Sequence, residues 1–417
     1  MDRRLRHPGH RRMDVPGAVA PHRDLPPVAD RPRVAQRNTS DGRSTSGSGA
    51  RRRLCSLSAS PPARMLCPRA WHDGVMSVAA DSRIVGLDVA RGLAVLGMFA
   101  AHLAPVEIEM LWNGRSSVLF AVLAGVSIGL ITGGAGRSLR PWRDTGSILL
   151  RGLYLLILGA ALTLLGTPIA VILPHYGVMF LVAALLLFLP RALLAVLVAV
   201  TTIAGPLAVD ALADTGGTWL SALPPTEALL AAQPLTWFTQ YYPVPSWTAY
   251  VILGLLIARS DIRSATTQRW AVVGGAVAAV LGYGGGLLQG GPEAVEAHAS
   301  TTAELIGAGG VACVAIGALT ALLQRLTRLA RAATPLAAVG AMPLTIYSLQ
   351  LVALAIYLMP YEPFDFEAWR SWSLLGVFAI GSLVAAVVWR RFVGQGPLEW
   401  LLSRASLRPP GQRPALG

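Results

Sequence analysis

Lysine is missing from this 417-residue chain, so every one of its 35 basic positions is arginine. That reads as a coding bias and carries no mechanism. Cysteine is nearly missing too: Cys55, Cys67 and Cys313 lack metal-ligand spacing, and Cys313 falls inside an apolar run. A disulfide framework and a metal site are therefore not expected. No apolar run precedes residue 84, so the charged start is not followed by the apolar region a secretory signal needs. No glycine-rich phosphate loop joins a strand pattern to a helix pattern. The glycines of GVSIG (125–129), GGAVAAVLGYGGG (274–286) and GAGGVACVAIG (307–317) lie within apolar runs, where close helix packing is their expected use. Charge is scarce as well, at 14% against 53% hydrophobic residues. What remains is an all-α, polytopic integral membrane helix bundle.

The net charge of +13 suggests nucleic acid until it is divided along the chain. Residues 1–80 hold 15 arginines against six aspartates, a net +9, and residues 81–417 carry the other +4. The excess is a tail property, so no nucleic-acid partner is expected. Residues 1–80 are rich in Arg, Pro, Ser and Gly without apolar periodicity, and predict a disordered tail. Met76 stands just before the first apolar run and is an alternative start, which would make the preceding 75 residues an over-long gene start. Residues 405–417 predict a second disordered tail.

Between the tails, residues 83–404 divide into ten expected spans: 84–105, 116–134, 146–166, 168–189, 192–210, 246–259, 270–290, 304–323, 335–359 and 371–393. The sixth is short and borrows from Tyr242 to Ser246 to cross. Loop charge tests the count through the positive-inside rule. One set of loops carries Arg137, Arg140, Arg143, Arg191, Arg259, Arg263, Arg269, Arg325, Arg328 and Arg331, and Arg390 and Arg391 close the last span. The other set carries only Arg115 and Arg370, with nine acidic residues from Glu107 to Glu367. This alternation predicts about ten transmembrane helices in the cell membrane, with both termini cytoplasmic.

The first span places Asp88 and Arg91 inside an apolar helix. A charge near the bilayer centre costs at least ~2.5 kcal/mol on insertion scales, so such residues are paired, face the bundle interior and mark functional paths. The spacing i, i+3 lets these two pair on one face, and a structural pair locking the helix to its neighbours is the plainer alternative. His102 lies roughly 20° from Arg91 around the helix and roughly 16 Å further along it, near the opposite surface. All three share a stripe without touching. His175, in ILPHYGVMF, falls at the same outer level, with Glu304, Arg115, Asn113, Ser116 and Ser117 expected around one mouth.

The loop 211–245 carries Trp219, Trp237, Phe238, Tyr241 and Tyr242, which suit either an interfacial belt or a sugar-stacking lid. In the ninth span, AVGAMPLTIYSLQLVALAIY, Pro343 frees a backbone carbonyl, and Tyr347 and Gln350 share a face by i, i+3 spacing. They line a cavity or bond another helix. GQGPLEWLLSR predicts a short interfacial helix starting near Pro397 and anchored by Trp400.

Together these stretches resemble the bacterial multispanning proteins grouped with heparan-α-glucosaminide N-acetyltransferases in the transmembrane acyltransferase superfamily. The resemblance rests on R-x4-D-x2-RG-x4-GM in 83–98, WNGRSSVLFAVLAGVSIGL in 112–130, LPHYGVMFL in 173–181, MPLTIYSLQ in 342–350 and GPLEWLL in 396–402. It implies transfer of an acetyl or other acyl group from cytoplasmic acetyl-CoA to an amine or hydroxyl of an outer-side glycan or related envelope acceptor. In the heparan enzymes the catalytic His stands three residues before the WNG, a position held here by Glu109. In the related polysaccharide O-acyltransferases a His closes the first helix, as His102 does here.

On this reading His102 is the general base and Asn113 or Ser116 stabilises the oxyanion. Arg91 and Arg151 meet the anionic groups of the CoA donor while Asp88 orients Arg91. Trp112, Arg115, His175, Tyr347 and Gln350 are the candidate substrate contacts. The rival from another class is a transporter or export component for a small molecule or envelope precursor, built around the proline-broken ninth span. Against it, no matching pair of broken helices marks the two halves of the sequence.

Overall fold

The computed structural model describes residues 83–105, 113–136, 140–221, 234–362 and 365–404. All of them fall in the compact unit Leu66–Gly417. The two expected tails, Trp112, Glu107, Glu109 and residues 222–233 of the aromatic-rich loop lie outside the described residues, whereas Trp219, Trp237, Phe238, Tyr241 and Tyr242 of that loop lie within them. The described regular structure is helical throughout. Its helices are α1 (Val85–Leu103), α2 (Arg115–Ile131), α3 (Pro141–Thr163), α4 (Leu173–Leu186), α5 (Arg191–Ser221), α6 (Val244–Arg259), α7 (Ala265–Gly290), α8 (Thr302–Arg325), α9 (Thr327–Ala332), α10 (Thr334–Gly340), α11 (Pro343–Tyr357), α12 (Phe366–Trp369), α13 (Trp372–Phe392) and α14 (Pro397–Arg404).

Six of these, α1, α3, α5, α7, α8 and α13, are long and apolar enough to cross a membrane. The bent pair α10 and α11 makes a seventh if taken as one span, while α2, α4 and α6 are shorter apolar helices. Burial sorts the long ones into layers. More than half of α1 and α8 is enclosed by protein, whereas α7 and α13 turn most of their apolar residues outward, the arrangement a bilayer solvates.

Small residues set the tightest crossings. A Cβ on Gly125 of α2 would overlap the Val251 carbonyl of α6, and one on Gly254 of α6 would overlap the Val122 carbonyl of α2. Backbone therefore meets backbone at this crossing, as expected for helices associating without a hydrophobic driving force. The glycine runs of α7 and α8 divide by face: Gly275 and Gly282 meet Gly310 and Gly307, while Gly274, Gly284 and Gly285 meet nothing within 4 Å.

Two of the expected spans change most. The fifth helix continues to Ser221, well past residue 210, and carries Pro206 within it. The ninth span is not one helix from 335 to 359: it breaks between Gly340 and Pro343 and bends by 80°. Pro343 therefore starts α11 instead of interrupting it, and at a helix's first turn its missing N–H costs nothing. The freed donors at this start are taken by α14. The Glu399 carboxylate accepts from the backbone N–H of Leu344 (2.7 Å) and Thr345 (3.0 Å) and from the Thr345 hydroxyl (2.5 Å). The expected interfacial helix near Pro397 is thus also the cap of the broken span.

Candidate functional site

Asp88 and Arg91 form the expected pair, Nη1 to Oδ1 at 2.9 Å. Arg91 reaches further, donating to the Gly340 carbonyl of α10 at 3.1 Å and to the Ser127 hydroxyl of α2 at 3.3 Å. The break after Gly340 explains the first bond, since a helix end leaves carbonyls without intrahelical partners and presents the negative pole of its dipole. Gly340 also packs so closely that a Cβ there would overlap the Asp88 carbonyl. The pair consequently pins three helices at one junction, and this structural role stands beside any functional one.

The same junction opens into a cavity of about 160 Å³. Arg91, Arg151, Tyr176, Tyr347 and Glu399 supply its polar lining, and Met98, Phe120, Leu155, Phe180 and Leu402 belong to its apolar wall. Arg91, Arg151 and Tyr347, singled out separately in the sequence, are thereby brought together. Glu399, which was not singled out, supplies the one carboxylate among its described lining residues. Burial raises its pKa, against the opposing hydrogen bonds from Thr345 and Leu344.

At the far end of α1, His102 Nδ1 lies 3.3 Å from the Gln350 amide nitrogen. Arg370 closes the helix by donating to the Ala101 and Ala104 carbonyls, each at 2.7 Å. Tyr347, one turn before Gln350 on α11, accepts from the Ile172 N–H at 3.4 Å through its phenol oxygen. The Tyr176 hydroxyl donates to the Ser117 carbonyl. Ser116 packs against Gly97 of α1, whose missing Cβ leaves room for its hydroxyl.

A second cluster gathers at the start of α2. Asn113 Oδ1 lies 3.2 Å from His298 Nε2, and His298 Nδ1 lies 3.0 Å from the Tyr241 carbonyl. Trp247 stacks on the His298 ring at 5.8 Å between centroids and 8° between planes. Tyr242 meets His298 edge-on at 5.0 Å and His175 edge-on at 5.4 Å. The buried Glu304 carboxylate accepts from the backbone N–H groups of His298 (2.9 Å) and Ser300 (2.8 Å). Arg115 bonds the Asn113 carbonyl and lies over the Tyr283 ring. Outside the helices, burial lowers the His298 pKa and pushes the Tyr242 phenol up to about 12.

Of the sequence candidates, His102 and Gln350 meet directly, Asp88 and Arg91 meet directly, and Arg91, Arg151 and Tyr347 share the cavity. Asn113, Arg115 and His175 belong to the aromatic cluster. Trp112 lies outside the described residues. Sequence reasoning missed His298, Glu399 and Arg259. The Arg259 guanidinium bonds the Gly129, Thr132, Gly134 and Leu187 carbonyls and so closes the ends of α2 and α4. A signal existed for Glu304, because Thr301-x-x-Glu304 is a capping-box pattern and the Thr301 hydroxyl does accept from the Glu304 N–H. None existed for His298, whose side-chain partner is 185 residues away.

These features define a multi-pass helical membrane protein with two polar centres connected by α1 and α11. Residues 229–408 match the family model described as a protein of unknown function (DUF418), which spans α6 to α14 and takes in His298, Tyr347, Gln350 and Glu399. No curated protein matches the chain.

Proposed function

We propose that this chain is an acyltransferase of the cell membrane, with ten spans and both termini cytoplasmic, that moves an acetyl or other acyl group from cytoplasmic acyl-CoA to a glycan or related envelope acceptor outside. The observation that supports it most is a polar seam along two helices. Arg91 and His102 share one stripe of α1, and α11 answers each of them, with Tyr347 in the Arg91 cavity and Gln350 against His102. A donor entering at the cytoplasmic end meets the guanidiniums of Arg91 and Arg151. At about 160 Å³ the cavity is too small for the whole of CoA, so on this reading the nucleotide stays outside it.

At the outer end an imidazole takes the proton of the attacking hydroxyl or amine. The acceptor atom bonds the thioester carbonyl carbon, the C–S bond breaks, and the CoA sulfur leaves as thiolate. His102 is the imidazole that the resemblance to polysaccharide O-acyltransferases nominates, the position of the heparan enzymes' histidine being held here by Glu109.

Binding of acetyl-CoA to the detergent-purified chain tests the reading. We expect saturable binding in the wild type, weakened about tenfold or more in Arg91→Ala and less in Asp88→Ala, because Arg91 contacts the donor and Asp88 only orients it. A folded wild type that binds no acetyl-CoA sinks the proposal.

One observation favours the rival. The 80° break between α10 and α11 places a proline-started half-helix beside a polar cavity, an arrangement common at transporter substrate sites. A transporter would move an intact substrate across proteoliposomes without releasing CoA thiol.

A further inference from the structure

The loop between α7 and α8 adopts an unusual conformation for its sequence. His298 has φ 67° and Ser300 φ 54°, and Tyr241, whose carbonyl faces His298, has φ 52°. None is glycine, and left-handed backbone at such residues persists only where the surroundings over-determine it. They do so here. Glu304 holds two backbone N–H groups of the loop, Trp247 covers one face of the imidazole, and Tyr242 meets its edge. The result is one side chain held in one orientation beside the start of α2.

Hydrogen bonding then decides which nitrogen of His298 carries the proton. Nδ1 faces the Tyr241 carbonyl, and a carbonyl only accepts, so Nδ1 must donate. In the neutral ring Nε2 therefore carries the lone pair. Nε2 faces the Asn113 side-chain oxygen, which accepts from the imidazolium, and a half-turn of the amide brings its NH2 round to donate to the neutral ring. Asn113 can follow the proton on and off Nε2 without losing the bond. His102 has no such constraint, because its Nδ1 faces the Gln350 amide, which serves equally as donor or acceptor.

Resting on the acyltransferase reading, we propose that His298, rather than His102, is the general base that takes the acceptor's proton on Nε2, and that Asn113 and the Tyr241 carbonyl set its tautomer. The acceptor displaces Asn113 from Nε2, and its O–H or N–H proton passes to that nitrogen as the oxygen or nitrogen bonds the thioester carbonyl carbon. The departing thiolate takes up a proton from solvent, and His298 releases its own to solvent before the next turnover. The charged and titratable groups around the ring are Glu304 from α8, Arg115 from α2, His102 from α1, and Tyr241 and Tyr242 from the segment before α6. Burial favours the neutral, basic ring.

His298→Asn is the decisive variant. Asparagine is among the residues most at ease in left-handed backbone, and its side-chain N–H occupies the place of Nδ1–H, so the bond to Tyr241 survives while the base is gone. The experiment measures CoA-thiol release by the full chain in proteoliposomes given acetyl-CoA and a panel of hexoses and hexosamines, across pH. General-base loss is expected to lower kcat by about 10²- to 10⁴-fold. His102→Gln should lose less than about tenfold. Asn113→Asp should move the acid limb of the profile to higher pH, because a carboxylate stabilises the imidazolium; a purely structural histidine would not respond in this way.

Wild-type rate and pH profile in His298→Asn, with His102→Gln inactive, overturns the assignment and returns the role to His102. No thiol release by wild type with any acceptor overturns both the acyltransferase reading and the role that rests on it. The two failures are thus distinct.

Discussion

Single residues in this protein do their work by closing helix ends. Arg91, Arg259 and Arg370 each donate to the terminal carbonyls of a helix other than their own, and Glu399 does the converse for the N–H groups of α11. In a bilayer an unsatisfied backbone group costs several kcal/mol, so broken and short helices need such partners. His298 is held by the same logic, and the partial burial of its ring gives stability a pH dependence. With its folded pKa below the ordinary value near ~6.5, the folded chain binds fewer protons than the unfolded one in that window, so His298 favours folding above about 6.5. That contribution falls away as pH drops through the lowered pKa. Thermal unfolding of the wild type from pH 7.5 to 4.5 should lose more than His298→Asn loses over the same range. Parallel curves for the two would show that the ring does not titrate below its ordinary value.

At the scale of elements, the broken ninth span organises the inner centre. Its two halves are fastened separately: Gly340 seats α10 on α1, and Glu399 holds the start of α11. Gly340→Ala would drive a methyl group into the Asp88 carbonyl and disturb the Asp88–Arg91 pair. We expect a loss of about 1–3 kcal/mol or more. Glu399→Ala strands two backbone donors and should cost about 1.5–3 kcal/mol, the range for hydrogen bonds to charged groups. Midpoints of thermal or denaturant unfolding in detergent measure both. A wild-type midpoint in either variant would show that the corresponding fastener is dispensable.

Across the whole molecule, the proposed ten-span arrangement makes a side-specific prediction. In a cysteine-free background, Glu296→Cys and Asp365→Cys should react with a membrane-impermeant thiol reagent applied outside intact cells. Arg269→Cys and Arg391→Cys should react only after permeabilisation. All four positions are exposed on the protein, so burial does not confound the result. Labelling of Arg269→Cys from outside would break the alternation on which the count rests. On the proposed arrangement Asp88 and Arg91 lie at the cytoplasmic end and His102, Asn113 and His298 at the outer end, so the proposed topology and the proposed direction of transfer are tested together.

Much of this was legible in the chain itself. Apolar runs, loop arginines and the i, i+3 spacing of Asp88 and Arg91 are local patterns, set by bilayer thickness, insertion cost and helix period, and they alone predicted a helical bundle with a charged pair in its first span. The break at Gly340 was half legible, since Pro343 marked the place while only packing decided that the chain would bend by 80° there. The partners of that break, Arg91 and Glu399, and the cavity they share with Arg151 and Tyr347, depend on helices far apart in sequence. His298 lay furthest from view: its tautomer, its strained backbone and its contact with Asn113 exist only once α2, α6 and α8 converge. Periodicity along one helix can be read from residues a turn apart, but a side chain's chemistry follows from the groups that fold against it, and only the tertiary structure brings those together.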